Sequence, residues 1–361
     1  MRSSISLFYA PLLALFTPTF STPIYQSLNL TSYLPATNTD ANTNALTSRA
    51  DPSLTGYLGA FFLGDKPSIY FYLSNGNNAL SFKALNKGNP VITATKGTGG
   101  VRDPAIVPGG GSEAGKKWYI IGTDLNIGKT TWDAAQRTGS RGIFVWESND
   151  LVTWGNERLV VVEDATAGMV WAPEALWDEA KGEYFVHWAS KFYPTSDTKH
   201  TGSPSAIRIR YAYTKDFKTF SAPQDYINKS PTNIIDLDIL PIGGSSYARF
   251  MKDETAKTVF MELSSTGLFG TWTRPGGASA IIQSGVEGPA AYWDNQAAGK
   301  AHVLLDFYGS DGYRPFETTD VQKGNAGWTA SDRANFPKNL RHGAVLPVNA
   351  VVVSALGAKY P

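Results

Sequence analysis

The sequence repeats itself at long intervals, and this repeat limits the fold more than any other feature of the chain. Five segments share one form, in which a polar or aromatic residue precedes a short apolar run typical of a β-strand. The segments begin at Asp103, Trp171, Asp236, Glu287 and His342, at intervals of 68, 65, 51 and 55 residues. Five units of about 60 residues, each long enough for four strands, predict an all-β fold, a five-bladed β-propeller. The alternative interpretation of the same strands is a β-sandwich with insertions.

The two ends of the chain are expected to close the ring. Only 19 residues follow His342, enough for a strand or two but not for a blade. Three predicted strands, at residues 57–63, 69–74 and 81–85, precede Asp103 without an inner strand of their own. The N-terminal strands should therefore complete the last blade, which leaves no open sheet edge.

Composition and charge exclude several classes of protein. The chain has no Cys, which excludes disulfide scaffolds, zinc–thiolate sites and cysteine nucleophiles. Lys plus Arg number 32 and Asp plus Glu number 31, so the formal net charge is only +1. A chain so close to neutral lacks the electrostatic pattern of a protein that binds nucleic acid or anionic membranes. We therefore expect neither partner, and we expect a monomer.

The N-terminus predicts export. Residues 1–21 have the parts of a secretory signal peptide: Arg2, an apolar run at 7–16, and small residues at Thr19 and Ser21 near the cleavage site. The apolar run is too short to span a bilayer as a helix. Residues 22–55, rich in Thr, Asn, Ala and Ser, are predicted to be a flexible leader, and residues 56–361 the propeller. We expect a secreted, extracellular protein.

The repeat brings distant acids together. Inner strands of a propeller begin at one face near the central channel, so Asp103, Trp171, Asp236, Glu287 and His342 are predicted to surround one pocket. Taken singly, each acid has an ordinary structural interpretation, as a turn residue or a strand cap. Taken together they favour glycoside hydrolysis, in which one carboxyl donates a proton and another, ionised, activates water or attacks carbon. A third negative charge raises the pKa of the proton donor. Trp171 is the best candidate to stack on a sugar.

The motifs at these positions resemble those of the family 43 glycoside hydrolases. They are Val-Arg-Asp-Pro at 101–104, Trp-Ala-Pro-Glu at 171–174, Ile-Asp at 235–236, Glu-Gly-Pro at 287–289 and Arg-His-Gly at 341–343. Their order and spacing carry the resemblance, which covers about residues 56–348. It implies a five-bladed propeller enzyme acting on glycans that contain arabinose, xylose or galactose.

The resemblance also implies roles for individual residues. Asp103 matches the general base, Asp236 the residue that tunes the pKa of the acid and orients the sugar, and Glu287 the general acid. Inversion of the anomeric configuration is implied, with the Asp103 and Glu287 carboxyls about 6.5–9.5 Å apart. His342 matches a channel histidine that in some members lies beside a hydrated ion, often calcium. The ordinary interpretation of His342 is a core histidine satisfied by hydrogen bonds. No cofactor is required, and a structural calcium ion is allowed.

Rival residues remain at two of these positions. Asp238 competes with Asp236, because strand alternation puts both on one face, and Glu174 is a rival acid. Arg102 is a candidate substrate-binding residue together with Trp171 and His342. Pocket depth is expected to depend on the loops at 126–141 and 193–204.

The expected function is an inverting glycosidase that removes a terminal furanose or pentose, foremost α-L-arabinofuranosyl, from an oligo- or polysaccharide. β-D-galactofuranosidase, β-xylosidase and endo-arabinanase are sibling alternatives. A retaining fructan or sucrose hydrolase of the related five-bladed clan is another alternative, because Arg102-Asp103-Pro104 resembles the Arg-Asp-Pro motif of that clan. The alternative from a different class is a non-catalytic glycan-binding propeller.

Overall fold

The computed structural model describes residues 50–361, and these residues form five four-stranded antiparallel sheets. The predicted signal peptide and most of the predicted leader lie outside the described residues. The N-terminal strands are β1 (Leu54–Leu63), β2 (Lys66–Ser74) and β3 (Phe82–Ala84). The first complete blade, blade I, contains β4 (Val101–Pro108), β5 (Trp118–Asp124), β6 (Gly142–Ser148) and β7 (Gly155–Val161). Blade II contains β8 (Trp171–Asp178), β9 (Glu183–Ser190), β10 (Arg208–Thr214) and β11 (Gln224–Ile227).

The remaining strands complete the ring. Blade III contains β12 (Ile234–Gly243), β13 (Ser246–Asp253), β14 (Thr258–Ser264) and β15 (Gln283–Ser284). Blade IV contains β16 (Glu287–Trp293), β17 (Ala301–Phe307), β18 (Gly312–Thr318) and β19 (Thr329–Ala330). The last inner strand is β20 (Arg341–Asn349). The described α-helices are α1 (Trp132–Arg137) and α2 (Ala350–Lys359), and short 3₁₀ segments lie at Asn86–Gly88, Gly111–Glu113, Ile127–Lys129 and Val321–Gly327.

Blade V closes the ring with strands from both ends of the chain. Its order is β20-β1-β2-β3, and β20 pairs antiparallel with β1 from Leu54 opposite Asn349 to Phe62 opposite Arg341. The predicted five-bladed propeller and its closure by N-terminal strands are confirmed. The residues after β20 form helix α2 rather than a second strand. Tyr360, next to α2, donates its hydroxyl proton to the carbonyl of Val152 in blade I.

The core consists of separate apolar layers between neighbouring blades. Each of the five hydrophobic clusters within residues 50–361 combines side chains from two adjacent sheets. In β9, Tyr184 and Val186 pack with blade I, whereas Phe185 and Ala189 pack with blade III. Successive side chains of a strand point to opposite faces, and both faces of each sheet are covered. A sandwich would have one core between two sheets, so this distribution excludes it.

A recurring turn links the third and fourth strands of blades I and II. The Asp150 carboxylate accepts hydrogen bonds from the backbone N–H groups of Val152 and Thr153, at 2.8 and 2.7 Å. In blade II the Asp216 carboxylate does the same for two following residues, at 2.8 and 3.0 Å. These turns account for the repeated sequence pattern of an Asp followed by an aromatic closing residue.

No helix within residues 50–361 has the length and apolar character that a membrane crossing requires.

Candidate active site

The inner strands of blades I to IV each begin with a β-bulge, and this bulge orients the side chains of the site residues. The residue in the bulge has a positive φ of 49° at Asp103, 46° at Ala172, 53° at Asp236 and 54° at Gly288. Asp103 and Asp236 are therefore equivalent, whereas Trp171 and Glu287 lie one residue earlier in their strands. The segment starts predicted from the sequence are therefore out of register by one residue at Trp171 and Glu287. A bulge adds a residue to one strand, so sequence spacing alone does not give its register.

All six predicted site residues line one cavity of about 230 Å³ at the starts of the inner strands. They are Arg102, Asp103, Trp171, Asp236, Glu287 and His342. The other lining residues are Leu125, Trp132, Gln136, Ile207, Ile235, Lys252 and Glu254. The predicted convergence of residues from all five blades is therefore observed.

Asp103 is held by a hydroxyl from the neighbouring strand. Thr123 on β5 donates its hydroxyl proton to Asp103 Oδ2 at 2.8 Å, and the same hydroxyl accepts the N–H of Ala172 at 2.7 Å. The other oxygen, Oδ1, lies 3.6 Å from His342 Nδ1. The Asp103 carboxyl is thus fixed at the cavity wall by two adjacent blades.

The pKa of Asp236 is raised into the neutral range. Burial raises its pKa to about 7, and the charges of Glu287 and Asp103 add to this rise against the opposing effect of His342 and Lys252. The N–H of Gly288 donates to Asp236 Oδ2 at 3.0 Å. Gly288 has no Cβ, and a Cβ there would lie 2.6 Å from the His342 ring. Only glycine therefore fits between these two side chains.

Glu287 lies between two cationic side chains. Lys252 Nζ is 2.7 Å from Glu287 Oε2, and Arg341 Nη2 is 3.3 Å from Oε1. Lys252 is buried on β13, and although burial alone would lower its pKa, the charges of Glu287 and Asp236 raise it above the usual range. Arg341 also binds the buried Asp306 at 2.7 Å. These contacts fix the Glu287 carboxyl toward the cavity.

His342 is a buried imidazole surrounded by carboxyl groups. Its Nδ1 lies 3.6 Å from Asp103 and 4.0 Å from Asp236, and its Nε2 lies 3.8 Å from Glu174. Burial by itself would lower the pKa of His342, but the nearby carboxylates of Glu174, Asp236 and Asp103 raise it to about 10. His342 is therefore a cation at physiological pH. It partly neutralises a channel rich in negative charge.

The rival acids lie deeper in the channel. Glu174 and Asp238 occupy equivalent positions further along their inner strands than the bulge, and neither lines the cavity. Removal from water raises the pKa of both, and the negative charge of Glu174 raises the pKa of Asp238 further. Asp238 accepts the N–H of Ala291 at 2.6 Å. This arrangement favours Asp236 over Asp238 as the carboxyl that meets substrate.

An aromatic rim borders the cavity. Arg102 is buried, with its guanidinium 4.3 Å from the Phe62 ring centroid and 5.3 Å from that of Trp132. Trp132 begins helix α1, whose N-terminus is capped by Thr131, and its ring meets Trp171 edge-on at 6.1 Å. Trp132 is 51% exposed, so one part of a large apolar ring is free to contact a ligand.

The sequence predicted no role for Trp132, Lys252 or Arg341. Trp132 falls within the loop at 126–141 that was predicted to shape the pocket, which is a weak signal for it. Arg341 directly precedes the predicted His342. Lys252 had no sequence signal, because only the pairing of β13 with β12, with Lys252 opposite Ile235, brings it to the cavity.

The residues around His342 do not fit a directly bound cation. Both ring nitrogens face carboxylate oxygens, and a protonated imidazole repels a metal ion. Among the described residues, no group of three or more His, Asp or Glu side chains is arranged to hold one. A hydrated calcium ion beside His342 stays a prediction.

The fold and the cavity define a five-bladed propeller with a carboxylate-lined pocket at one end of its channel. A family model described as a probable glycosyl hydrolase domain, related to glycosyl hydrolase family 43, matches residues 52–352. The chain belongs to this family and thus carries a glycoside hydrolase domain.

A curated relative is 34% identical over 236 residues: an α-L-arabinofuranosidase of Bifidobacterium longum subsp. longum. The match covers 58% of this chain but only 22% of that protein, so the chain spans about a fifth of its length. Among solved structures, a family 43 protein of Bacillus licheniformis matches 71% of this chain and 47% of its own, with 17% identity and a TM-score of 0.44. The catalytic domain of a family 62 α-L-arabinofuranosidase from Coprinopsis cinerea matches 70% of this chain and 77% of its own, with 14% identity and a TM-score of 0.45.

Proposed function

We propose that this protein is a secreted, inverting glycoside hydrolase that releases terminal α-L-arabinofuranosyl residues from oligo- or polysaccharides. The observation that carries the proposal is the convergence of Asp103, Asp236 and Glu287 on one cavity within a glycosyl hydrolase domain. Three carboxyls with different surroundings meet the need for one proton donor and one ionised base. The 34% sequence identity to an α-L-arabinofuranosidase supports the choice of sugar. Export rests on the signal-peptide features of residues 1–21.

In the proposed reaction Asp103 is the general base. It takes a proton from a water molecule whose oxygen attacks the anomeric carbon. The bond from that carbon to the leaving oxygen breaks, and Glu287 gives its proton to that oxygen. The products are the free sugar of inverted configuration and a shortened glycan with a new hydroxyl group. The Thr123 hydroxyl occupies one oxygen of Asp103, so the base is oriented before substrate arrives.

The proton for the leaving group is shared by neighbouring carboxyls. Burial and the negative charge of Glu287 both raise the pKa of Asp236, so Asp236 holds a proton more readily than an exposed aspartate. Substrate that excludes water from Glu287 disfavours its ionised form and favours transfer of this proton to Glu287. Asp236 then keeps the negative charge, near the cation of His342. Asp236 is thus proposed to tune the acid and to orient the sugar.

The sibling activities differ in the sugar rather than in this mechanism. β-D-galactofuranoside, β-xyloside and internal arabinan linkages need the same base and acid. A screen of nitrophenyl α-L-arabinofuranoside, β-D-galactofuranoside and β-D-xyloside, with arabinan as the endo substrate, separates them. We expect the highest kcat/KM with the arabinofuranoside.

The stereochemistry tests the mechanism. Proton NMR of the first-formed product should show direct release of the inverted anomer. Retention would contradict the assignment of Asp103 as a base and would favour the related retaining clan. Binding of oligosaccharides without turnover of any of these substrates would contradict the enzyme proposal and favour a glycan-binding propeller.

A further inference from the structure

A second cavity, of about 510 Å³, adjoins the candidate active site between blades II and III. We propose that it binds the glycan on the leaving-group side of the scissile bond, so that the natural substrate is a side chain or end unit carried by an oligosaccharide of several sugars. This inference rests on the proposed glycosidase function. Beyond that function, it specifies where the glycan part of the substrate lies and which substrates the protein prefers.

The two cavities share part of their lining. Gln136 of helix α1, Ile207 at the start of blade II's third strand, and Glu254 after β13 line both of them. The outer cavity has more than twice the volume of the inner one, at about 510 against 230 Å³. A ligand that extends beyond the inner pocket past these three residues would reach the outer cavity.

The outer cavity lies on the side of the proposed acid. Glu254 Oε2 is 2.5 Å from Lys252 Nζ, and the same ammonium group is 2.7 Å from Glu287 Oε2. Glu254 also pairs with Lys257, which lines the outer cavity. The general acid must contact the leaving oxygen, so the leaving group lies near Glu287. The chain Glu287–Lys252–Glu254–Lys257 thus leads from the acid to the outer cavity.

The lining suits the hydroxyl groups of a sugar chain. It presents ammonium groups from Lys191 and Lys257, the Glu254 carboxylate, the Ser230 hydroxyl and the Asn233 amide. Sugars carry hydroxyls that both donate and accept hydrogen bonds, and such a mixed polar wall can satisfy both. Lys191 donates to Gln136 at 3.0 Å, which places one cation at the junction of the two cavities. A nitrophenyl group offers no hydroxyls for this wall.

The test compares two substrates with the same departing sugar. One is nitrophenyl α-L-arabinofuranoside, and the other is a xylo-oligosaccharide or arabino-oligosaccharide that carries the same arabinofuranosyl unit. Lys191→Met removes a donor from the outer cavity, and Ala206→Leu fills part of it without removing a polar group. The matched controls are Lys83→Met and Ala84→Leu, on the exposed strand β3 at the opposite side of the ring.

The quantity to compare is the ratio of kcat/KM for the oligosaccharide to kcat/KM for the nitrophenyl substrate. We expect each outer-cavity variant to lower this ratio about tenfold, through about one lost hydrogen bond in Lys191→Met and through lost space for the glycan in Ala206→Leu, and we expect each control to keep the wild-type ratio. Wild-type ratios in both outer-cavity variants would overturn the proposal while leaving the glycosidase intact. Failure of the wild type to hydrolyse either substrate would overturn the proposed function itself.

Discussion

The ammonium nitrogen of Lys252 lies 2.7 Å from one carboxylate oxygen of Glu287 and 2.5 Å from one of Glu254. Lys252 is buried, so its charge acts on the cavity with little screening by water. This places a fixed positive charge against the carboxyl that is proposed to donate the proton. The charge of Lys252 also lowers the pKa of Asp236 and so helps to set the pH at which Asp236 holds its proton.

Lys252→Met should move the alkaline limb of the pH–rate profile to higher pH, by roughly one unit. The positive charge of Lys252 lowers the pKa of Asp236, so its removal should raise that pKa. The kcat at the optimum should fall, because Glu287 loses a positioning contact. The measurement is kcat/KM on nitrophenyl arabinofuranoside from pH 4 to 9.

Lys229→Met is the matched control for this prediction. It breaks another lysine–glutamate ion pair, which lies outside the cavity. In this pair Lys229 Nζ is 2.8 Å from Glu262 Oε1. Its profile should keep the wild-type limbs. An unshifted alkaline limb in Lys252→Met, with the fold intact by circular dichroism, would contradict the assignment of the proton to Asp236.

Asp103→Asn and Glu287→Gln should each lower kcat/KM by about 10²–10⁴-fold. The two variants should differ in their dependence on the leaving group. A good leaving group such as nitrophenolate needs little acid catalysis, so Glu287→Gln should lose less activity on it than on a glycan, whereas Asp103→Asn should lose the same on both. Asn is compatible with the positive φ at position 103.

Both variants should unfold within a few degrees of the wild type. Glu179→Gln, at the exposed turn after β8, serves as the control for loss of a carboxylate. If either site variant fails to fold, the residue is a structural acid and its catalytic assignment is wrong.

Trp132→Ala should raise KM about three- to tenfold with a smaller change in kcat. The half-exposed ring borders the cavity, and loss of a stacking face costs about the energy of an aromatic contact. Trp132→Phe keeps an aromatic face and should retain most of the affinity. Equal KM values for the wild type and Trp132→Ala would show that the ring does not contact substrate.

The melting temperature should fall by several degrees as pH rises from about 7 to about 10. The pKa of His342 is raised in the folded protein to about 10, from an ordinary value of 6.5. The stabilisation is therefore fully present below pH 6.5 and is lost as pH rises through the folded value. His342→Gln has no group that titrates in this way, so its melting temperature should change little over the same range. Parallel curves for the two proteins would contradict a protonated His342.

The architecture could be predicted from the sequence because a propeller repeats. Each blade is built locally, from short alternating strands and turns such as Asp150–Trp154, so its signals lie close together along the chain. Three predicted strands before Asp103 lack an inner strand, and too few residues follow His342 to form a blade, so the sequence predicted that the two ends together close the ring. The pairing of β1 with β20 confirms this prediction. Every predicted site residue also reached the cavity, since the blades place the starts of their inner strands at one end of the channel.

Only the tertiary structure decided which charges act on these residues. Lys252 reaches Glu287 from the second strand of the preceding blade, and Glu174 reaches His342 from the opposite side of the ring. Such contacts depend on bulge register and on packing between blades, and neither leaves a periodic mark in the sequence. The sequence by itself determined five blades, their closure and the acids of one pocket, because these follow from local alternation and repeat spacing. The three-dimensional packing alone decided where the protons and counter-charges lie, because burial and distance set the pKa of each group.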